Sequence, residues 1–262
     1  MPMDRGTGAD DEVLVERRDG VQIITINRPS ARNALNAAVA RRVADAVDEL
    51  DASDELRVGV LTGAGGVFSA GMDLKAFLAG ESPSIEGRGL AGISVTPPAN
   101  PLIAAVEGWA LAGGFELVLA CDLVVAGETA RFGVPEVKRS LVAAAGGALL
   151  LPRRVPFVVA MEMLLTGEPI GARRAMEAGL VNRVVPEGTA LEEALALAAA
   201  VAVGGPLAVS ATKKIARAGS DWTLDEAWAE QQKIIDPVFD SEDAREGATA
   251  FAEKRPPVWK GR

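Results

Sequence analysis

The chain has 262 residues, 49% of them apolar, enough for one sizeable buried core without covalent staples. Its net charge of −9 opposes nonspecific nucleic-acid binding, which draws on many Lys and Arg side chains to neutralise phosphates. There is no histidine, no tyrosine and a single cysteine, Cys121. An internal disulfide and a thiolate or imidazole zinc cluster are therefore excluded, no metal is expected, and general acid/base work falls first to carboxylates.

Residues 1–11 contain no apolar run that would make a signal peptide and read as a disordered tail. Val13 to Arg17 and Val21 to Ile26 are β-branched runs separated by Asp19-Gly20, which predicts a hairpin. Asn36 is placed to cap a helix whose apolar residues Val39, Val43, Val47 and Leu50 recur at helical spacing up to Ser53. Arg57 to Thr62 reads as a buried strand leading into Gly63-Ala64-Gly65-Gly66, and a short helix is expected to start at Asp73. Residues 80 to 101 lack periodicity and read as a long mobile loop.

Pro101 to Val106 predicts a strand, Gly108 to Ala112 a turn, and Gly113 to Ala120 a buried helix, followed by a strand over Leu123 to Ala126. From about Phe157 the pattern turns mostly helical, with one more strand over Val181 to Val185. Helices are then expected over 189–203, 207–218, 223–235 and 241–254, separated by Gly204-Gly205-Pro206, Gly219-Ser220-Asp221 and Asp236-Pro237. This gives an α/β core over 12–195 and a helical region over 196–262, with no fixed-period repeat. No run approaches the roughly 20 apolar residues that span a bilayer. With one cysteine and no disulfide, a reducing cytoplasm is the expected location.

Two glycine turns stand out, at Gly71-Met72-Asp73 and Gly113-Gly114, each after a strand and before a helix. The first residues of a helix have N–H groups without intrahelical partners, so two such ends converging would form an oxyanion hole. One such turn alone is more often a connector. Glu116 sits within the apolar run Leu111 to Ala120, where burial would raise its pKa, and Glu136 follows Phe132-Gly133-Val134-Pro135.

At these residues the chain resembles the crotonase superfamily and, within it, the enoyl-CoA hydratases. Asn27-Arg28-Pro29 with Asn33-Ala34-Leu35, Phe68 to Leu74, Ala112 to Leu117, Cys121-Asp122, Phe132 to Glu136, Ala145-Gly146-Gly147, Leu165-Thr166-Gly167, Ala175 to Val181 and Phe251 to Arg255 occur in that family's order and spacing. The resemblance implies an α/β spiral of repeated ββα units followed by a C-terminal helical trimerisation region, assembled as a homo-trimer or a hexamer of two trimers. Acyl-CoA thioesters are the implied substrates. Coenzyme A enters as part of the substrate, and no metal or redox cofactor is required.

By position, the backbone N–H groups of Met72 and Gly113 would hold the thioester oxygen. Glu116 would activate water for addition at C3, and Glu136 would supply the proton to C2. Ser30, Ala31, Arg32, Ala70, Gly71, Asp73, Leu74, Lys75, Gly114 and Lys254 match positions that bind the substrate or its CoA, with Lys75 and Lys254 as phosphate partners. The implied reaction is reversible hydration of a trans-2-enoyl-CoA within fatty-acid or related lipid metabolism. A Δ3,Δ2-enoyl-CoA isomerase, a specialised 3-hydroxyacyl-CoA dehydratase and a noncatalytic acyl-CoA-binding protein are the alternatives. Three departures from the family pattern bear on the pocket: Met72 where alanine is frequent, Val142 to Gly147 beside the second glutamate, and the bulky Phe115.

Overall fold

The computed structural model describes residues 11–262. The expected tail therefore lies outside the described residues except for Asp11. Strands β1 (Val13–Arg18) and β2 (Val21–Ile26) form the antiparallel hairpin, with Asp19 and Gly20 at φ 50° and 79° as its two-residue turn requires. Helix α1 (Ala37–Ala52) begins where Asn36 accepts a hydrogen bond from Val39 N–H at 2.8 Å, and it buries Val39, Val43, Val47 and Leu50. Strand β3 (Val58–Gly63) and the short helix α2 (Leu74–Leu78) follow as expected.

The 80 to 101 segment differs from the long loop that its composition predicts. It carries a small hairpin, β4 (Ser84–Ile85) with β5 (Gly89–Leu90), and buries Leu90, Ala91 and Ile93. Its far end is tied down by Asp51, which accepts from the N–H groups of Ala99 (2.7 Å) and Asn100 (2.9 Å). These anchors are tertiary and too few to produce a periodic pattern.

Strand β6 (Leu102–Val106) leads into a second correction: Trp109–Leu111, expected as part of a turn, is strand β7. The segment is extended because Ser69 on one side and strand β9 (Arg131–Gly133) on the other pair with it. Helix α3 (Gly113–Ala120) and strand β8 (Leu123–Gly127) come between β7 and β9. Helices α4 (Gly147–Arg154) and α5 (Phe157–Thr166), strand β10 (Ile170–Gly171), helix α6 (Ala172–Glu177) and strand β11 (Arg183–Val185) complete this part. Four helices follow: α7 (Ala190–Ala202), α8 (Pro206–Ala218), α9 (Leu224–Phe239) and α10 (Glu242–Glu253). Contrary to the expected break at Asp236-Pro237, α9 runs through Pro237. The proline is exposed and near the helix end, and the carbonyl it leaves without a donor belongs to exposed Lys233, where water can satisfy it.

The main sheet has strand order β1-β2-β3-β6-β8-β11 and is parallel except for the first pair. A smaller sheet, β10-β9-β7, is extended by the Ser69–Ala110 bridge. The chain thus repeats a path from a main-sheet strand to a small-sheet strand to a helix: β3, the 67–69 segment and α2; then β6, β7 and α3. This is the ββα spiral. Alternation along the strands divides the core in two, so Leu102, Ala104 and Val106 face one side while Ile103 and Ala105 face the other. On that second side Ala190, Ala194 and Ala198 of α7 pack on the sheet. A boundary at 195 would cut this helix, and Gly204-Gly205 is the better division between core and tail. Among the described residues, no single helix is long and apolar enough to cross a membrane.

Asp122 joins the tail to the core. Its carboxylate pairs with Lys213 (2.7 Å) and Arg217 (2.8 Å) of α8 and accepts from Leu102 N–H (2.8 Å). Lys213 is desolvated there, which pushes its ammonium pKa down while the Asp122 charge opposes the shift. Removing the carboxylate would leave a buried cation unpaired, so Asp122→Ala should cost about 3 kcal/mol in urea unfolding. A loss below about 0.5 kcal/mol, typical of a surface position, would contradict this role.

Candidate active site

The site forms where the two glycine turns meet. Gly71 sits at φ 91°, and a Cβ there would fall 2.7 Å from Ala112 Cβ, 2.8 Å from Leu111 O and 2.9 Å from Gly113 N. Only glycine allows both the positive φ and that approach. Gly114 is equally confined, since a Cβ on it would meet Ser69 O and lie 2.7 Å from Ser69 Cβ. The 69–73 turn is fixed from behind: Ser69 Oγ donates to Asn33 O (2.8 Å), Gly71 N–H donates to Ser69 Oγ (3.1 Å), Leu35 N–H donates to Gly71 O (2.8 Å), and Asp73 N–H to Leu35 O (2.9 Å).

These contacts bring two backbone donors together. A Cβ built on Gly113 would lie 3.6 Å from Met72 N. Among the described residues, neither Met72 N–H nor Gly113 N–H donates to a backbone or side-chain acceptor. Gly113 is the first residue of α3, so its N–H also lies at the positive end of the helix dipole. The preceding Ala112 adopts φ 50° and ψ −129°, a strained conformation for a residue with a Cβ, and is held by its N–H to Gly133 O at 2.9 Å. Sequence reading missed this strain because nothing marks alanine as special.

Both glutamates face the same cavity, of about 750 Å³. Glu116, in the first turn of α3, is 3% exposed, and Gly147 N–H donates to its Oε1 at 2.9 Å. Burial pushes its pKa up to about 6, against the lowering effect of the Gly147 hydrogen bond, and the nearby Glu136 charge adds to the rise. Glu136 lies on the 3-10 turn Pro135–Arg139. Its pKa is also raised, chiefly by burial and against the pull of Arg139, and its Oε2 is buried without a hydrogen-bond partner among the described residues.

The 142–147 segment, which departs from the family pattern, turns out to position Glu116 through Gly147. A side chain at Gly147 would crowd Ala143 Cβ at 2.7 Å and Glu116 Oε1 at 3.2 Å. Phe115 does not enter the cavity. It is fully buried, with its ring 5.8 Å from that of Phe132.

Of the other residues singled out from sequence, Arg32, Ala70, Met72, Leu74 and Gly113 line the cavity with the two glutamates. Ser30, Ala31, Gly71, Asp73, Lys75, Gly114 and Lys254 do not. Gly71 and Gly114 act behind the wall, as spacers. Asp73 caps α2 by accepting from Lys75 (3.1 Å) and Ala76 (3.2 Å) N–H groups and pairs with Arg28 at 3.0 Å; these bonds, the Ala76 one foremost, hold its pKa down. Lys254 ends α10, and Lys75 is exposed on α2. Glu107 serves α7, with Oε1 accepting from Gly188 and Ala190 N–H at 3.0 and 2.9 Å. Cys121 is fully buried, and burial pushes its thiol up to about 12, so it is no nucleophile.

An α/β spiral with paired amides over two desolvated carboxylates defines a crotonase-type enzyme. The sequence model of the family described as enoyl-CoA hydratase/isomerase matches residues 16–262. An enoyl-CoA hydratase of Mycobacterium tuberculosis is 45% identical over 261 residues, covering 96% of this chain and 97% of that protein. A carnitinyl-CoA dehydratase of Salmonella typhimurium is 42% identical over 260 residues, covering 96% and 99%. A crystal structure of an enoyl-CoA hydratase from Mycobacterium tuberculosis superposes with TM-score 0.95 at 58% identity, covering 97% of this chain and all of that one. The chain belongs to the enoyl-CoA hydratase/isomerase family.

The Glu116 environment has a consequence for stability. A carboxyl whose pKa is raised on folding contributes fully below its ordinary value near 4.5, and that contribution is lost as pH climbs through about 6. Glu116→Gln keeps the Oε1 acceptor but removes the charge. Its stability relative to wild type should therefore rise by about 2 kcal/mol between pH 4 and pH 7.5 in parallel denaturant titrations. A pH-independent difference would show that Glu116 is not desolvated.

Proposed function

We propose that the chain is an enoyl-CoA hydratase, catalysing reversible addition of water to a trans-2-enoyl-CoA to give a 3-hydroxyacyl-CoA. The observation that carries this reading is one buried glutamate, Glu116, and one half-buried glutamate, Glu136, both with raised pKa, beside two backbone N–H groups that have no acceptor among the described residues, all in one cavity. The Met72 and Gly113 amides receive the thioester oxygen as negative charge grows on it. Each such preorganised donor is worth roughly 3 kcal/mol in the transition state. Glu116, ionised above pH 6, takes a proton from water as its oxygen bonds to C3. Glu136, whose buried Oε2 has no hydrogen-bond partner among the described residues, delivers a proton to C2 and collapses the enolate. In the reverse direction the same atoms eliminate water.

Because elimination uses the same constellation, a dehydratase acting on a 3-hydroxyacyl-CoA is the second reading, and the likeness to carnitinyl-CoA dehydratases favours it over an isomerase. An isomerase needs one proton shuttle, whereas here two carboxylates face the cavity. For CoA, Arg32 and Ala70 at the cavity wall are the contacts this reading uses, with Lys75 and Lys254 reserved for phosphates. A homo-trimer or hexamer in the cytoplasm is part of the same proposal. It is supported by α8 and α9, whose apolar residues are at most half-buried among the described residues, and by exposed Leu224, Trp228 and Phe239.

Loss of crotonoyl-CoA absorbance tests the reaction directly. Wild type should hydrate it, with kcat/KM falling as pH drops below about 6. Glu116→Gln and Glu136→Gln should each lose about 100-fold or more. Unchanged rates in either variant would overturn the assignment.

A further inference from the structure

Arg139 has no part in the chemistry above, yet it lines the same cavity. It closes the 3-10 turn that begins with Pro135 and holds Glu136. Residues three apart eclipse in a 3-10 helix, so Arg139 lies on the Glu136 side of that turn, about 6 Å along its axis. The Arg139 charge offsets part of the burial-driven rise in the Glu136 pKa, as a cation lining the same cavity does. Arg139 makes no ion pair and donates no side-chain hydrogen bond among the described residues, and it is exposed to the cavity rather than packed.

The rest of this wall is also rich in unused donors. Ser82 and Ser94 line it, and each oxygen accepts from a backbone N–H, Ser84 for the first and Leu90 for the second, leaving the hydroxyl proton free to donate. The one extra carboxylate in the lining, Glu81, turns toward the start of α1, where its Oε2 accepts from Ala37 N–H at 3.4 Å. With the thioester oxygen at Met72 and Gly113, Glu136 addresses C2. A guanidinium one 3-10 turn further on addresses atoms several bonds beyond C2.

We infer that Arg139 is a specificity-determining residue that receives an anionic oxygen group on the acyl chain, so that the preferred substrates are enoyl-CoA thioesters whose acyl group ends in a carboxylate. This inference rests on the hydratase reading for its site and deepens it by naming the substrate class. A planar guanidinium pairs with a carboxylate in two parallel hydrogen bonds, a geometry that neither water nor an alkyl end can match. A quaternary ammonium end would instead meet Arg139 and find a single aromatic ring, Phe77, in the lining.

Binding and turnover should be measured separately. In calorimetry, which needs no turnover, adipoyl-CoA should bind wild type roughly tenfold tighter than hexanoyl-CoA, in line with one charged hydrogen-bonded contact. Arg139→Gln should abolish that ratio and Arg139→Lys should restore part of it. In turnover, the kcat/KM ratio of trans-2-hexenedioyl-CoA to trans-2-hexenoyl-CoA should fall by a similar factor in Arg139→Gln. Equal affinity of wild type for the two saturated thioesters would overturn the inference. So would an equal loss for adipoyl-CoA, hexanoyl-CoA and free CoA in Arg139→Gln, which would move Arg139 to the CoA end. If hydration fails while the binding ratio and its loss persist, the hydratase reading falls and the specificity assignment stands.

Discussion

The site depends on one steric constraint: the backbone of residues 69–72 touches the backbone of residues 111–114 with no side chain between them. Gly71 and Gly114 make that contact, each blocked from carrying a Cβ by the opposite segment. The approach brings two sequence-distant backbone N–H groups, Met72 and Gly113, close together. Such closeness has a cost, visible in the strained Ala112, and it is held by the β7 pairing with Ser69 on one side and β9 on the other. The small sheet therefore holds the two segments against each other.

Electrostatics follow from where α3 enters the core. Its first turn carries Glu116 into an apolar interior in which every residue of the helix is buried. Desolvation pushes the carboxyl pKa up to about 6, against the lowering effect of the Gly147 N–H. That intermediate value suits the proton exchange with water proposed for Glu116. Glu136 approaches from a different element and is also desolvated, so the two carboxyls share a cavity without sharing a backbone constraint.

Much of this was legible in the residues. The hairpin at Asp19-Gly20, the Asn36 cap, α3 with its buried glutamate and the helical tail all follow from local rules of spacing and capping. The ordered motifs carried the family and the spiral fold. What sequence could not give is tertiary in origin. Strand β7 is three residues long and exists because neighbours pair with it, and the 80 to 101 segment is ordered by contacts to Asp51 and by Leu90 and Ile93. The ββα repeat left no period because its small-sheet strands are so short. Gly147 appeared as one of a glycine pair and gave no sign that its N–H would hold Glu116. Pro237 predicts a break because a proline usually makes one, and an exposed position near the helix end lifts that rule.

We propose that the Met72 and Gly113 amides polarise a thioester carbonyl. That polarisation is tested most directly by isotope-edited infrared difference spectroscopy of crotonoyl-CoA, labelled at the thioester carbon, bound to Glu136→Gln enzyme. The carbonyl stretch should fall at lower frequency than that of the free thioester in water, with the shift lost when Gly71→Ala is added to push the two turns apart. A bound stretch at the free frequency, or a shift that survives Gly71→Ala in a folded protein, would contradict it.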